Sequence, residues 1–272
     1  SVVKFIQNKI KTKTKWFYNG EAYRKQNKNN NSPIINQTGF EIFASNNKIK
    51  DDKEIIQTSI DIFKKSNFKK GELNISNIEI FNALVDRLSL ALRWKDRIKR
   101  HFCREVYFNQ LLKKLSSSTD IDPNAAEKDK KIAEKLRKQN LNTLYSGRTL
   151  KDILERFDLK NYKEPRLGTD KRNVKIIKDY LKISCQIEKA PKILNKFFKK
   201  NKLNLFISDD YFPISQNNNK KIKIKFSTNI NRSLEYYSGM VFNILVNKKR
   251  KKSVLVSGGR YDGLLKNLGS KK

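Results

Sequence analysis

Three tyrosines, one amide and one carboxylate are the side chains whose types and spacing could do chemistry. Tyr236 and Tyr237 are adjacent, and Tyr261 follows the pair Gly258-Gly259 by two residues. Residues 236–246 and 253–256 are apolar, β-rich runs on either side of a basic tip, the pattern of a hairpin. The second run is expected to break at Gly258-Gly259, because a glycine pair lets the backbone turn sharply and lets a ligand approach it closely. Such a hairpin carries two tyrosines on one strand and a third just past the glycines, with their hydroxyls near one place. That suits holding a small, polar, partly flat ligand. The alternative is an ordinary amphipathic hairpin with its aromatics in the core.

Gln37 and Glu41 lie in the run 34–44, IINQTGFEIFA, which reads as a strand. Alternation puts Gln37, Gly39, Glu41 and Phe43 on one face. At roughly 3.3 Å per residue, Gln37 and Glu41 are about 13 Å apart at their Cα atoms. A ligand lying over Gly39 could touch both. An acid and an amide across a small residue suit an α-amino acid, with Glu41 pairing its ammonium; the alternative is a solvent-facing polar stripe.

The elements around these residues follow from periodicity and turn signals. Residues 15–24, KWFYNGEAYR, read as strand, Asn-Gly turn, strand. A helix is expected over 51–65, with Ile55, Ile56, Ser59, Ile60 and Phe63 on one face. A short strand over 73–75 follows, and Ser76 or Asn77 can cap a helix carrying Ile80, Phe81, Leu84, Val85 and Leu88. The basic stretch from Arg93 to Leu115 reads as a helix or helix pair, its cations forming a solvated face. Further helices are expected over 125–139, 150–157, 173–188 and 191–200, and strands over 203–207 and 221–226. The middle, about 72–202, is thus mainly helical and carries no phosphate-loop, GxSxG or HExxH pattern.

Composition narrows the function classes. Sixty-one Lys+Arg against 27 Asp+Glu give a formal charge of +34. The lysines are spread along the chain and asparagine is inflated too, which points to composition more than to a nucleic-acid surface. Cys103 and Cys185 are isolated and His101 is the only histidine, so neither a zinc site nor a disulfide framework is expected, and a reducing cytoplasm is. No run is long and apolar enough to cross a membrane.

Two motifs carry a resemblance. Arg232, Leu234, Glu235, Tyr236 and Tyr237 stand as Arg-x-Leu-(Asp/Glu)-Tyr-Tyr, and residues 258–264 as Gly-Gly-Arg-Tyr-Asp-Gly-Leu. Together they resemble the histidyl-tRNA synthetase-like core, where such motifs build the histidine pocket. The resemblance implies a fold of α/β (α+β) class, a class II aminoacyl-tRNA synthetase-like, mostly antiparallel sheet flanked by helices, with a helical insertion. It also matches residues 15–44 to motif 2 of class II synthetases. Arg24 then takes the place of the arginine that meets a phosphate or carboxylate, and Gln37 and Glu41 match the Gln-x-x-x-Glu that contacts histidine. The synthetase's Glu-Arg-Pro-Gln-x-Gly-Arg loop, which handles ATP and the tRNA acceptor end, is replaced by Lys25 to Asn31, KQNKNNN.

In its WKDRIKRHF (94–102), YFNQLLKKL (107–115) and GRTLKDIL (147–154) pieces, the helical middle resembles the regulatory-subunit branch, that of ATP phosphoribosyltransferase. This branch implies a non-catalytic subunit for the first step of histidine biosynthesis, which joins ATP to phosphoribosyl pyrophosphate. Its implied partners are a short-form catalytic subunit, histidine as feedback effector, and a second copy within a hetero-oligomer. No cofactor or metal is implied. The histidine ligands would be Arg24, Gln37, Glu41, Arg232, Tyr236, Tyr237 and Tyr261. The alternative is a divergent synthetase that charges tRNA with histidine using ATP, with Arg232 helping adenylate formation. By either branch, these 272 residues are expected to be the central part of one such domain.

Overall fold

The computed structural model describes residues 12–23, 34–117, 125–145, 148–158, 170–212, 214, 221–230, 236–248 and 251–264. Strand β1 (Thr14–Tyr23) pairs along its whole length with β2 (Ile34–Phe43), from Thr14 opposite Phe43 to Tyr23 opposite Ile34. This corrects the expected turn at Asn19-Gly20. The runs flanking that dipeptide are too short to make a stable hairpin with each other, whereas β2 offers a ten-residue partner. Thr14, Trp16 and Tyr18 face inward and Lys15, Phe17 and Asn19 outward, as strand alternation requires.

Helix α1 (Lys48–Lys65) starts at Asn47, whose side chain accepts from the Lys50 N–H at 3.0 Å. It buries Ile56, Ser59, Ile60 and Phe63. Strand β3 (Gly71–Asn77) leads into α2 (Ile78–Arg87), where the Asn77 side chain accepts from the Glu79 N–H at 2.9 Å. The basic stretch is a helix pair, α3 (Leu92–Arg100) and α4 (Glu105–Ser116). Trp94 and Ile98, then Phe108, Leu111, Leu112 and Leu115, turn into the core and leave the charges outside. Helices α5 (Ala125–Arg137) and α6 (Leu150–Asp158), with the two-residue strands β4 (Leu144–Tyr145) and β5 (Arg148–Thr149) between them, share a small core of Ala133, Leu150 and Leu154.

Helix α7 (Lys171–Tyr180) and α8 (Ala190–Lys200) return to the main core. The helix expected over 173–188 ends at Tyr180. Thr228 takes over there: its hydroxyl donates to the Tyr180 carbonyl at 2.7 Å and its N–H to the Ile183 carbonyl at 3.1 Å. Ser184–Gln186 is therefore free to form strand β6. Residues 203–207 form no strand, because the Asn195 side chain brackets Ile207, donating to its carbonyl and accepting its N–H.

Strands β7 (Ile222–Ser227), β8 (Met240–Lys248) and β9 (Lys251–Gly259) complete a five-stranded sheet of order β6-β7-β3-β8-β9. The β3–β7 pair is parallel and the other neighbours are antiparallel, so the sheet is mixed, and mostly antiparallel as expected. A parallel pair needs a long crossover, and the helices between β3 and β7 supply it. Leu73, Ile75, Ile222, Ile224, Phe226, Phe242 and Ile244 join one core with residues of α1, α2, α7 and α8. The expected break at Gly258-Gly259 does not occur: both stay in β9, opposite Phe242 and Val241. The glycines serve close packing, since a Cβ at Gly258 would stand 2.7 Å from the Phe242 ring. Among the described residues no helix is long and apolar enough to cross a membrane.

Candidate functional site

The β1–β2 arm supplies one wall. Tyr18 stands opposite Gly39 in the ladder, and a Cβ at Gly39 would overlap the Tyr18 ring. The missing side chain leaves room for the ring over Gly39. Gln37 Nε2 donates to the Tyr18 hydroxyl at 2.8 Å.

The ends of β8 and β9 supply the other wall. Tyr236 and Tyr237 precede β8, which begins at Met240, so they are not strand residues as expected. Ser238 ties them to the segment after β9. Its N–H donates to the Arg260 carbonyl at 2.8 Å, and its hydroxyl accepts from the Asp262 N–H at 3.0 Å. A Cβ at Gly259 would stand 2.8 Å from the Tyr237 ring and from the Met240 carbonyl, so this glycine makes room for that ring. The Tyr236 and Tyr237 rings lie 4.8 Å apart, and Tyr261 meets Tyr236 edge-on at 6.1 Å. The Tyr261 hydroxyl donates to the Glu41 carboxylate, closing the two walls on each other.

Electrostatics give the site its character. Burial pushes the Glu41 carboxyl above its ordinary range, and the Tyr261 hydrogen bond only partly offsets that. Among the described residues no lysine or arginine pairs with Glu41. Burial and the charge of Glu41 push the Tyr261 phenol up; burial and neighbouring Tyr236 do the same to Tyr237, which also feels Glu41 and Tyr18. Tyr237 and Tyr261 therefore stay neutral, offering hydroxyls and ring faces. A half-buried carboxylate ringed by aromatics suits a ligand with a cationic group and a flat end. Among the described residues no cluster of His, Cys, Asp and Glu could hold a metal.

Behind the tyrosines lies an ion cluster. Arg260 grips Asp52 of α1 with two prongs, Nε to Oδ1 at 3.2 Å and Nη2 to Oδ2, and reaches Glu79 of α2 at 3.4 Å. Lys48 meets Asp262 at 3.1 Å. Burial works against the charged guanidinium, but Asp52 and Glu79 outweigh it and hold Arg260 above its ordinary value. Burial pushes Asp52 up even so, helped by Glu79 and Asp262.

Of the seven residues expected in the site, the structure gathers Gln37, Glu41, Tyr236, Tyr237 and Tyr261. Arg24 and Arg232 lie outside the described residues, as does the 25–31 loop. Sequence reasoning missed Tyr18, although a β1 strand paired in full with β2 would have set it against Gly39. It missed the Arg260–Asp52 pair too.

Residues 2–272 match the Histidyl-tRNA synthetase family. The chain belongs to that family. A histidine–tRNA ligase from Francisella tularensis subsp. novicida is 43% identical over 51 residues, which is 19% of this chain and 12% of that one. The ATP phosphoribosyltransferase regulatory subunit of Brucella anthropi is 25% identical over 280 residues, covering 95% of this chain and 73% of its own. Among solved structures, the ATP phosphoribosyltransferase regulatory subunit/histidyl-tRNA synthetase of Bacillus halodurans C superposes with a TM-score of 0.53 at 16% identity, over 97% of this chain and 56% of that one. The histidyl-tRNA synthetase of Nostoc sp. PCC 7120 does so with a TM-score of 0.54 at 13% identity, over all of this chain and 53% of that one. These superpositions show a class II synthetase-like fold. The family member described here thus spans about half the length of those two solved relatives and 12% of the Francisella ligase.

Proposed function

We propose that this chain is a regulatory subunit of ATP phosphoribosyltransferase that binds free histidine and does not carry out the transfer itself. The extent of likeness carries this reading: similarity to a regulatory subunit runs through 95% of the chain, while the 43% identity to a tRNA ligase covers 19%. The loop 25–31 supports it, since it lacks the arginine-bearing pattern that handles ATP in the synthetase.

Histidine would sit between the two walls. Glu41 takes the ammonium, Gln37, Arg24 and Arg232 the carboxylate end, and Tyr236, Tyr237 and Tyr261 enclose the imidazole. The phosphoribosyl transfer belongs to a short-form catalytic partner, and this chain, as a dimer in the mixed assembly, completes it. Feedback requires only that histidine favour the less active of two assembly states, since a ligand shifts an equilibrium by its differential affinity.

The test is transferase activity of a short-form catalytic subunit, with and without the full-length protein, at increasing histidine. Activity that appears on mixing and falls with histidine is the expected result. A second reading, histidine–tRNA ligase, is favoured by Arg232 in the Arg-x-Leu-Glu-Tyr-Tyr motif. No activation on mixing, together with ATP-dependent charging of tRNA, would establish that reading instead.

A further inference from the structure

The helix pair α3 and α4 carries a second cluster of side chains that could do chemistry. Residues 92–104 hold six Lys or Arg against one acid, Asp96. Two of the six face α2, where Lys95 donates to the Asp86 carbonyl at 2.8 Å and Lys99 to the Asp86 carboxylate. Arg93 and Arg97 stand one turn apart on another side of α3, both half-buried. Their guanidinium carbons lie 5.8 and 4.7 Å from the centre of the Trp94 ring. Trp94 belongs to the main core, so this platform is fixed. Arg97 Nη2 also donates to the Tyr107 hydroxyl at 3.1 Å. His101 in turn braces Tyr107: the rings meet edge-on at 4.5 Å, and the His101 N–H donates to the Arg97 carbonyl at 3.0 Å.

Like charges four residues apart on a helix repel, so this face is destabilising unless an anion neutralises it. The fold aims the Arg97 guanidinium by a ring and a hydroxyl, yet among the described residues no carboxylate pairs with it. We propose that Arg93, Arg97 and Tyr107 form a binding site for the phosphate group of a small anion, with Trp94 as its platform. Two guanidiniums match the double charge and several oxygens of a phosphate; a carboxylate has one charge and two oxygens. The Tyr107 oxygen accepts from Arg97, which leaves its own proton to donate to the ligand. This site is separate from the histidine reading and does not depend on it.

The experiment is calorimetry on the full-length protein with inorganic phosphate and with pyrophosphate, at low ionic strength, where charge contacts are least screened. Pyrophosphate should bind, and Arg97→Gln should weaken it by about tenfold, the worth of one hydrogen bond to a charged group. Tyr107→Phe leaves the net charge unchanged and should still weaken binding by about threefold to tenfold. Lys95→Gln removes the same charge as Arg97→Gln from the same helix, but from the side that faces Asp86, and should stay within about twofold of wild type.

Absence of binding by either anion up to about 10 mM would overturn the proposal. So would equal weakening in Lys95→Gln and Arg97→Gln, which would mean that the general positive charge of the chain attracts the anion and that no built site exists. A single-stranded RNA of about ten nucleotides is the third ligand. If it binds in an Arg97-dependent way and pyrophosphate does not, the patch is a nucleic-acid surface and the small-anion site falls. Should Arg97→Gln fail to fold, Tyr107→Phe against Lys95→Gln decides the same question, because the Tyr107 ring is 40% exposed and only its hydroxyl is lost.

Discussion

Glu41 and Asp52 are two carboxylates shielded from solvent on either side of one turn, and they are provided for in opposite ways. Asp52 has its cation built in: Arg260 holds both its oxygens, and Glu79 shares the same guanidinium. Glu41 has a phenol, and among the described residues no cation. Both carboxyls are pushed up by burial, but among the described residues a countercharge works against that at Asp52 and not at Glu41. The difference separates structural from functional acids better than burial does. An acid whose cation is supplied by the fold holds the fold together, whereas one kept without it is set to take a cation from outside.

The largest effect should come from breaking the completed pair. Arg260→Ala strands Asp52 in a buried site and should cost about 3–5 kcal/mol, read as a lower midpoint in urea unfolding. Glu41→Gln removes a charge that no cation among the described residues meets, so its cost should stay within about 1 kcal/mol of zero. Equal losses would erase the contrast. Histidine affinity should reverse the order of importance: Glu41→Gln keeps the shape but removes the countercharge, and binding should weaken by about tenfold to a hundredfold in calorimetry.

Much of this contrast was legible in the sequence on one side only. Gln37 and Glu41 share a strand face because alternation is local, and IINQTGFEIFA shows it within eleven residues. Asn77 as a cap and the helix pair from Leu92 to Ser116 were likewise written in short-range pattern. Arg260 and Asp52 lie 208 positions apart, and no periodicity links an arginine after a glycine pair to an aspartate on a helix face. Asn19-Gly20 misled for a related reason. The dipeptide favours a turn locally, but a ten-residue ladder with β2 outweighs it, and only that ladder reveals Tyr18 as a wall of the site.

Glycines on the arm sharpen the comparison between the site and its surroundings. Gly39→Ala would drive a methyl group into the Tyr18 ring, so it should cost about 1–3 kcal/mol and weaken histidine binding as the ring moves. Gly20 lies on the same strand pair with open space where a Cβ would go. Gly20→Ala should therefore be nearly silent in both measurements, within about 0.5 kcal/mol.

The smallest effect is a dependence on pH, and its sign separates the two acids. A carboxyl raised in the folded state above its ordinary 4.5 holds a proton that the unfolded chain has released, so the fold is favoured below 4.5. That advantage drains away as pH rises through the raised value and the bare carboxylate must be buried. The wild-type protein should therefore lose stability over this window, and Glu41→Gln should not. Bound histidine should remove the loss as well, because its ammonium stabilises the ionised form that the fold otherwise disfavours. Histidine binding should accordingly strengthen as pH rises through the Glu41 titration and release a proton there, and the release should vanish in Glu41→Gln. If the pH window survives that substitution, the carboxyl responsible is Asp52, and the fork from Arg260 leaves more of its burial cost unmet than the geometry suggests.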